Sequence, residues 1–148
     1  MVPQISNKTA DVLIDLLTLE EQVSILAGAD YWSTPAIDRL GIAKLRVTDG
    51  PNGARGSGSI IGGFTAACFP VGIALGATWD VDLVQRIGAA IADEEKSKGA
   101  HMLLGPTINM QRTVTNGRNF ECYSEDPELA ANLAVAYITG LQGNGVAA

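Results

Sequence analysis

The chain predicts an α/β fold: a parallel sheet whose strands are joined by crossover helices. Three observations predict it. Helical and strand-like segments alternate; the strand-like runs IAKLRV (42–47) and HMLL (101–104) each end in a polar turn; and a long amphipathic helix lies between them. The sheet so formed is short, two strands and the start of a third, whereas parallel strands need cover on both faces.

Composition narrows the partners before any motif does. With 148 residues, 47% hydrophobic and 18% charged, the chain is globular in character and sized for one domain or part of one. A net charge of -6 with ten scattered basic residues argues against nucleic acid, because phosphate contacts need clustered Lys and Arg. A neutral or polar small molecule fits better. Two cysteines, Cys68 and Cys122, lack CxxC spacing and are expected as free thiols of a reducing compartment. With His101 as the one histidine, no metal or other cofactor is expected; a satisfied strand-end role suits it better. The N-terminus lacks a basic region followed by an unbroken apolar run, and no stretch suits a membrane span, so a cytoplasmic location is expected.

In chain order, Thr9 to Ala27 reads as helix, with Val12, Leu16, Leu19, Val23 and Leu26 on one face. Thr18 and Glu21 have capping-box spacing, so two short helices could meet there before Gly28. Tyr31 and Trp32 follow in a loop. The strand 42–47 stops at Thr48, Asp49, Gly50 and Pro51, which places Asp49 at a strand's carboxyl end, where parallel α/β folds carry ligand-contacting groups. An Asp-Gly pair is also an ordinary turn former, bonded to its own backbone. The glycines between Gly53 and Gly63 suggest a phosphate loop, but the third glycine of G-x-G-x-x-G is replaced by Ile61 and no G-K-[ST] is present. The segment reads instead as a loop holding Arg55 near Asp49.

Phe69 to Ala77 is mixed and Gly-containing. Asp80 caps a helix reaching about Lys98, with Val84, Ile87 and Ile91 on one face, Gly99 as its stop, and Asp93, Glu94 and Glu95 expected on the solvated side. His101–Leu104 is the next strand. The long polar run Gly105–Pro127 follows, rich in groups suited to hydrogen bonding a ligand: Asn109, Arg112, Asn116, Arg118, Asn119, Glu121 and Tyr123. Asp126 and Pro127 start the last helix, with Leu129, Leu133, Ala136 and Leu141 as its apolar positions. Gly143 to Gly145 end it, and Val146 opens a further strand.

Four segments, LRVTDGPNGARG, AACFPVGIALGATWD, GAHMLLGPTINMQR and NGRNFECYSEDP, together closely resemble the amino-terminal barrel domain of glycoside hydrolase family 3, the β-glucosidases and their relatives. The resemblance runs from about Leu13 to Ala148. It implies an incomplete (β/α)8 TIM-type barrel, the first two to three βα units, with residues 1–148 as a partial amino-terminal domain that stops before the catalytic nucleophile. It further implies a retaining enzyme acting on terminal β-D-glucosyl residues of a β-glucoside or oligosaccharide. Asp49, Arg55 and Arg118 match residues that bind the innermost sugar. A carboxylate can accept two adjacent hydroxyls and a guanidinium offers donors in a fixed plane. Glu121 and Asp126 are expected to hold the loop.

Two departures qualify the match. Thr113, Val114, Thr115 and Asn116 stand where relatives usually carry Ser-Pro and a small residue, which is expected to loosen the loop around Arg118. Retention also needs two carboxyl groups roughly 5–5.5 Å apart. The resemblance places both, and a sugar-binding Lys-His pair, beyond Ala148. Asp49 and Glu121 are not read as that pair, since the resemblance assigns Asp49 to binding. The alternative reading is a non-catalytic sugar-binding or interaction fragment, self-associating through an open barrel edge near Val146.

Overall fold

The helix predicted over Thr9–Ala27 breaks where its capping box lies. The structure, a computed structural model, describes residues 10–56 and 64–148, so Thr9 and the glycine-loop reading at Gly58 and Ile61 lie outside the described residues. Two units form, divided between Val47 and Thr48.

In the first unit, α1 spans Ala10–Leu16 and α2 spans Leu19–Ala27. The Thr18 hydroxyl accepts the Glu21 N–H (3.2 Å) and the Glu21 carboxylate accepts the Thr18 N–H (2.9 Å), so two otherwise orphaned amides at the start of α2 are satisfied. Arg39 pairs with the same carboxylate and donates to the Leu16 carbonyl at the end of α1 (2.9 Å). Its hydrogen bond, with that of Thr18, lowers the Glu21 pKa to about 2. The apolar stripe departs from expectation: Val12, Leu16, Leu19, Val23 and Leu26 are all exposed, and Leu13 is the buried residue of α1. Seven- and nine-residue helices bury little by themselves, so a sequence stripe need not meet a partner.

The predicted strand 42–47 is also mostly something else. Its residues pair with the preceding loop in isolated antiparallel bridges, Ile37 with Ile42 and Ser33 with Arg46, and Val47 N–H donates to the Trp32 carbonyl (2.8 Å). The turn between them is tied by Asp30, whose carboxylate accepts from Trp32 N–H, the Ser33 hydroxyl and Lys44. Those bonds, Ser33 foremost, hold its pKa well below the usual carboxylate range. Only Val47–Thr48 forms the regular strand β1.

The second unit carries the core. Strand β2, Met102–Leu103, lies beside β1, with Leu104 N–H donating to the Thr48 carbonyl (2.8 Å). The expected third strand begins as a parallel bridge between Met102 and Ala147, with Leu103 N–H to the Ala147 carbonyl and Ala147 N–H to the His101 carbonyl, each 2.9 Å. The segment read as mixed contains a short helix α3, Gly72–Gly76. Helix α4 spans Val81–Ser97, capped by the Asp80 carboxylate on Leu83 N–H (2.9 Å), and Gly99, at φ 68°, turns the chain after it. Helix α5 spans Pro127–Gly143, with Asp126 accepting from Glu128 N–H (2.9 Å).

Helices α4 and α5 meet backbone to backbone. A methyl group at Gly88 would run into the Tyr137 carbonyl, and one at Gly140 into the Gln85 carbonyl. Around this crossing Val84, Ile91, Leu103, Leu133, Tyr137, Leu141 and Val146 are almost wholly buried in one cluster. Burial of such side chains contributes about 1.5–3 kcal/mol each.

One charged residue sits in that interior, against expectation. Glu95, assigned from its neighbours to a solvated face, is 0% exposed, and neither carboxylate oxygen has a hydrogen-bond partner. The helical period explains it. Glu95 lies four residues after Ile91 and three after Ala92, both inward-facing, whereas Glu94 points to Lys98 and pairs with it at 2.6 Å. Burial raises the Glu95 pKa to about 7, with Lys98 opposing and Glu94 adding to the rise.

Two predictions follow from this packing. Gly140→Val forces α4 and α5 apart and lowers stability by about 2 kcal/mol or more in chemical denaturation; Gly143→Ala, where nothing lies within 4 Å, raises it by about 0.5–1 kcal/mol. For Glu95 the folded pKa lies above the unfolded value of 4.5, so folding favours the neutral acid. No penalty exists below pH 4.5; it grows from there to pH 7 and is constant above. Glu95→Gln removes this dependence. Its stability relative to the parent chain should climb by roughly 3 kcal/mol between acid and pH 8; a pH-independent difference would contradict the burial of an ionisable acid.

Candidate functional site

The site begins at the end of β1. Thr48, fully buried, accepts the Gly56 N–H on its hydroxyl (2.9 Å), which folds the chain after β1 back toward the strand. Within that turn the Asp49 carbonyl accepts the Arg55 N–H (3.0 Å), so the expected nearness of Arg55 to Asp49 is present at the backbone. The half-buried Asp49 carboxylate accepts the Gly50 N–H on Oδ1 (2.8 Å). This is the local Asp-Gly turn, and it uses one of about four lone-pair sites. Gly50 lies at φ 107°, and a side chain there would strike the Gly53 carbonyl, so the tight turn requires glycine.

Two contacts from the core position this loop. The buried Tyr137 of α5 donates its hydroxyl to the Pro51 carbonyl at 2.6 Å, and burial pushes that hydroxyl well above the usual tyrosine range. Gly105, just after β2, lies against Pro51, where an added Cβ would sit 3.0 Å from the proline ring.

The polar run 105–127 is ordered by its own side chains. Gln111 donates its amide to the carbonyls of Asn119 and Cys122, both at 3.1 Å, and its N–H to the Ser124 carbonyl. Asn119 donates to the Thr113 carbonyl (2.8 Å) and accepts from Asn116 (3.0 Å). Helix α3 supports the turn from beneath: Gly72 and Gly76, four residues apart on one face, meet the carbonyls of Glu121 and Tyr123. Any side chain at either glycine would push the segment away.

On this turn Arg118 Nε pairs with Glu121 Oε1. Glu121 is the buried member, its side chain 11% exposed against 76% for Arg118. Glu121 is thus the enclosed partner and Arg118 the exposed one. Asp126 has its expected holding role as the cap of α5.

A cavity of about 340 Å³ lies between the two loops, lined by Gly50, Pro51, Asn52, Gly53, Ala67, Cys68, Phe120 and Glu121. None of the three predicted sugar-contacting residues is itself in this lining: Asp49 and Arg55 flank the turn 50–53 that forms one wall, and Arg118 is paired with Glu121 of the other. Arg55 is fixed beside Asp49 through its amide. A second cavity, about 530 Å³, is lined by Asn109, Met110, Arg112, Thr113, Thr115 and Asn116 of the long run itself. Gln111 and α3 were not singled out from the sequence, and Cys68 was read there as a free thiol and not as part of a cavity wall. The glycines at 72 and 76 are a signal that could have found α3, since an i,i+4 glycine pair marks a close backbone approach.

Cys68 is exposed, Cys122 is buried, and both are free thiols. Among the described residues no three His, Cys, Asp or Glu side chains converge as metal ligands. No described helix is long and apolar enough to cross a membrane.

An α/β segment whose strand-end loops surround one cavity has the build of a barrel enzyme, the class of fold that carries its site at the carboxyl ends of its strands. The chain belongs to glycosyl hydrolase family 3: that family's N-terminal domain matches residues 18–148. It is 64% identical over 138 residues to a β-glucosidase of Rhizobium radiobacter, covering 93% of this chain and 17% of that protein. It is 54% identical over 136 residues to β-glucosidase B of Emericella nidulans, covering 92% and 16%. The β-glucosidase of Kluyveromyces marxianus, solved in complex with glucose, matches with a TM-score of 0.85 and 44% identity over 90% of this chain and 16% of that one. β-Glucosidase 3B of Thermotoga neapolitana, also solved with glucose, matches at 0.81 and 31% identity over 92% and 22%. The chain therefore spans about a sixth of the length of the curated relatives it matches. Its strands and helices are part of a TIM-type barrel, as expected.

Tyr137→Phe tests the tie between core and site loop. It leaves the ring in place and the Pro51 carbonyl without its donor, and should lower stability by about 1–2 kcal/mol in chemical denaturation. An unchanged midpoint would show that the hydroxyl does not hold the loop.

Proposed function

We propose that this chain supplies sugar-binding loops of a retaining β-glucosidase that hydrolyses terminal, non-reducing β-D-glucosyl residues. The observation that carries the reading is the meeting of the Asp49 turn and the Arg118–Glu121 turn around one cavity, in a chain whose solved relatives include glucose complexes. Asp49 accepts adjacent sugar hydroxyls on the carboxylate positions that Gly50 does not use. Arg118 donates from its exposed guanidinium end, and Arg55, whose amide is bonded to the Asp49 carbonyl, adds a second guanidinium. No catalytic nucleophile or acid/base is assigned to a residue of this chain; Asp49 and Glu121 act in binding and in support. The proposed setting is intracellular, and no cofactor enters the reading.

A second reading, an interaction fragment of the same ancestry, is favoured by the exposed Val12, Leu19, Val23 and Leu26.

One exchange experiment separates them. Residues 18–148 replace the matching segment of the Rhizobium radiobacter β-glucosidase, and hydrolysis of an aryl β-glucoside is measured. The proposal expects an active enzyme in which Asp49→Asn lowers kcat/KM by roughly 10²- to 10⁴-fold, the loss of one or two charge-assisted hydrogen bonds to sugar. A folded but inactive exchange, or Asp49→Asn without effect, overturns it. A chain that also self-associates on sedimentation would then favour the second reading.

A further inference from the structure

We infer that Gln111 is a positioning residue for the sugar-binding arginine, acting through the turn that carries Arg118 and touching no ligand itself. The inference rests on the reading above for what Arg118 binds; the geometry of the staple stands without it.

Gln111 lies seven residues before Arg118, yet its side-chain amide closes the turn from the other side. Nε2 donates to the Asn119 carbonyl and to the Cys122 carbonyl, 3.1 Å each, and so spans the 3-10 turn Asn119–Glu121 that contains Glu121. Its backbone N–H donates to the Ser124 carbonyl (3.2 Å), fixing the base from which the side chain reaches. One amide group, with two hydrogens on one nitrogen, thereby sets the spacing between residue 119, next to Arg118, and residue 122, next to Glu121. No other residue type of that length can do this: Glu has no donors when ionised, Met none at all, and Lys brings a charge.

The arrangement explains how this loop stays in place with Thr113–Asn116 where the resemblance leads one to expect a proline. A proline stiffens a turn by fixing φ. Here hydrogen bonds do it instead. Asn119 Nδ2 holds the Thr113 carbonyl, Asn116 holds Asn119 Oδ1, and Gln111 holds the Asn119 carbonyl. Asn119 and Gln111 are both half-buried, but the bonds of Asn119 to Thr113 and Asn116 are exposed and compete with water, whereas the two Gln111 bonds are partly buried, where a bond is harder to replace. The Arg118–Glu121 pair depends on the two residues keeping their spacing, because the Glu121 side chain is the more enclosed of the two and has less room to follow a shifted arginine. Loss of the staple leaves the ion pair mobile and Arg118 out of register with a bound sugar hydroxyl.

The test uses Gln111→Met, of equal length without donors, and, should that chain not fold, Gln111→Asn, which keeps the amide one methylene too short. In the 148-residue chain, the Arg118 Nε–H resonance should be sharp and protected from exchange in the parent and broadened or lost in the variant, while the core amides of α4 and α5 are unchanged. In the exchanged enzyme, Gln111→Met should raise KM for an aryl β-glucoside roughly tenfold. In an Arg118→Met background it should add almost nothing, since both act through one group. An unchanged Arg118 resonance, or losses that simply add, overturns the inference. An inactive exchanged enzyme would refute the sugar-binding reading alone, and the Arg118 resonance would still decide the positioning role.

Discussion

The site depends on a single buried tyrosine that belongs to two structures at once. The ring of Tyr137 is part of the α4–α5 core, and its hydroxyl holds the Pro51 carbonyl in the turn after Asp49. That arrangement needs α5 to lie close enough for a side chain on its inner face to reach past the core to the loop. Gly88 and Gly140 make this possible by letting the helices meet at backbone distance, with the Tyr137 carbonyl itself resting on Gly88. The residue that holds the turn after Asp49 is thus itself held by a helix contact within the core.

The second loop follows a different logic. Asp49 and Arg55 are held by short-range backbone bonds that an Asp-Gly turn makes almost regardless of context. Arg118 has only a longer local bond beneath it, its N–H donating to the Asn116 side-chain oxygen at 3.4 Å. Its position comes from Glu121, from Gln111 across the loop, and from two α3 glycines that let the segment settle against helix backbone. Unequal burial of the ion pair makes chemical sense. A carboxylate sheltered from solvent holds a guanidinium more firmly than an exposed one would, because the pair is less screened. The pair uses Nε, which leaves the Nη groups at the exposed end as donors for a ligand.

How much of this was legible in the sequence depended on the range of the interaction. Local devices were readable: the Thr18–Glu21 capping box, the Asp80 and Asp126 caps, Gly99 after α4, and the strand opening at Val146 all stand where their residues suggest. Candidate residues at strand ends were readable too, since an acidic residue followed by Gly-Pro after an apolar run defines its own turn. What failed required knowledge of a neighbour. The stripe Val12 to Leu26 has the right period and stays exposed, and IAKLRV has strand composition but pairs back on residues 32–37. Helix α3 escaped notice because its glycines, unfavourable for a helix in isolation, are selected by the carbonyls they rest on.

Glu95 shows why charge alone misleads in such a reading. In a run of three acidic residues the eye assigns all three to solvent, yet successive residues on a helix point about 100° apart, so three in a row cannot share a face. Asp93 pairs with Lys96, Glu94 with Lys98, and the next direction is inward, between Ile91 and the core. Periodicity of the apolar positions Val84, Gly88, Ile91 and Ala92 already names that slot. Burial favours the neutral acid there, because the carboxylate's desolvation is offset by no hydrogen bond and only in part by the Lys98 charge. The same core that holds the Tyr137 hydroxyl against the Pro51 carbonyl therefore contains an acid whose ionisation burial disfavours.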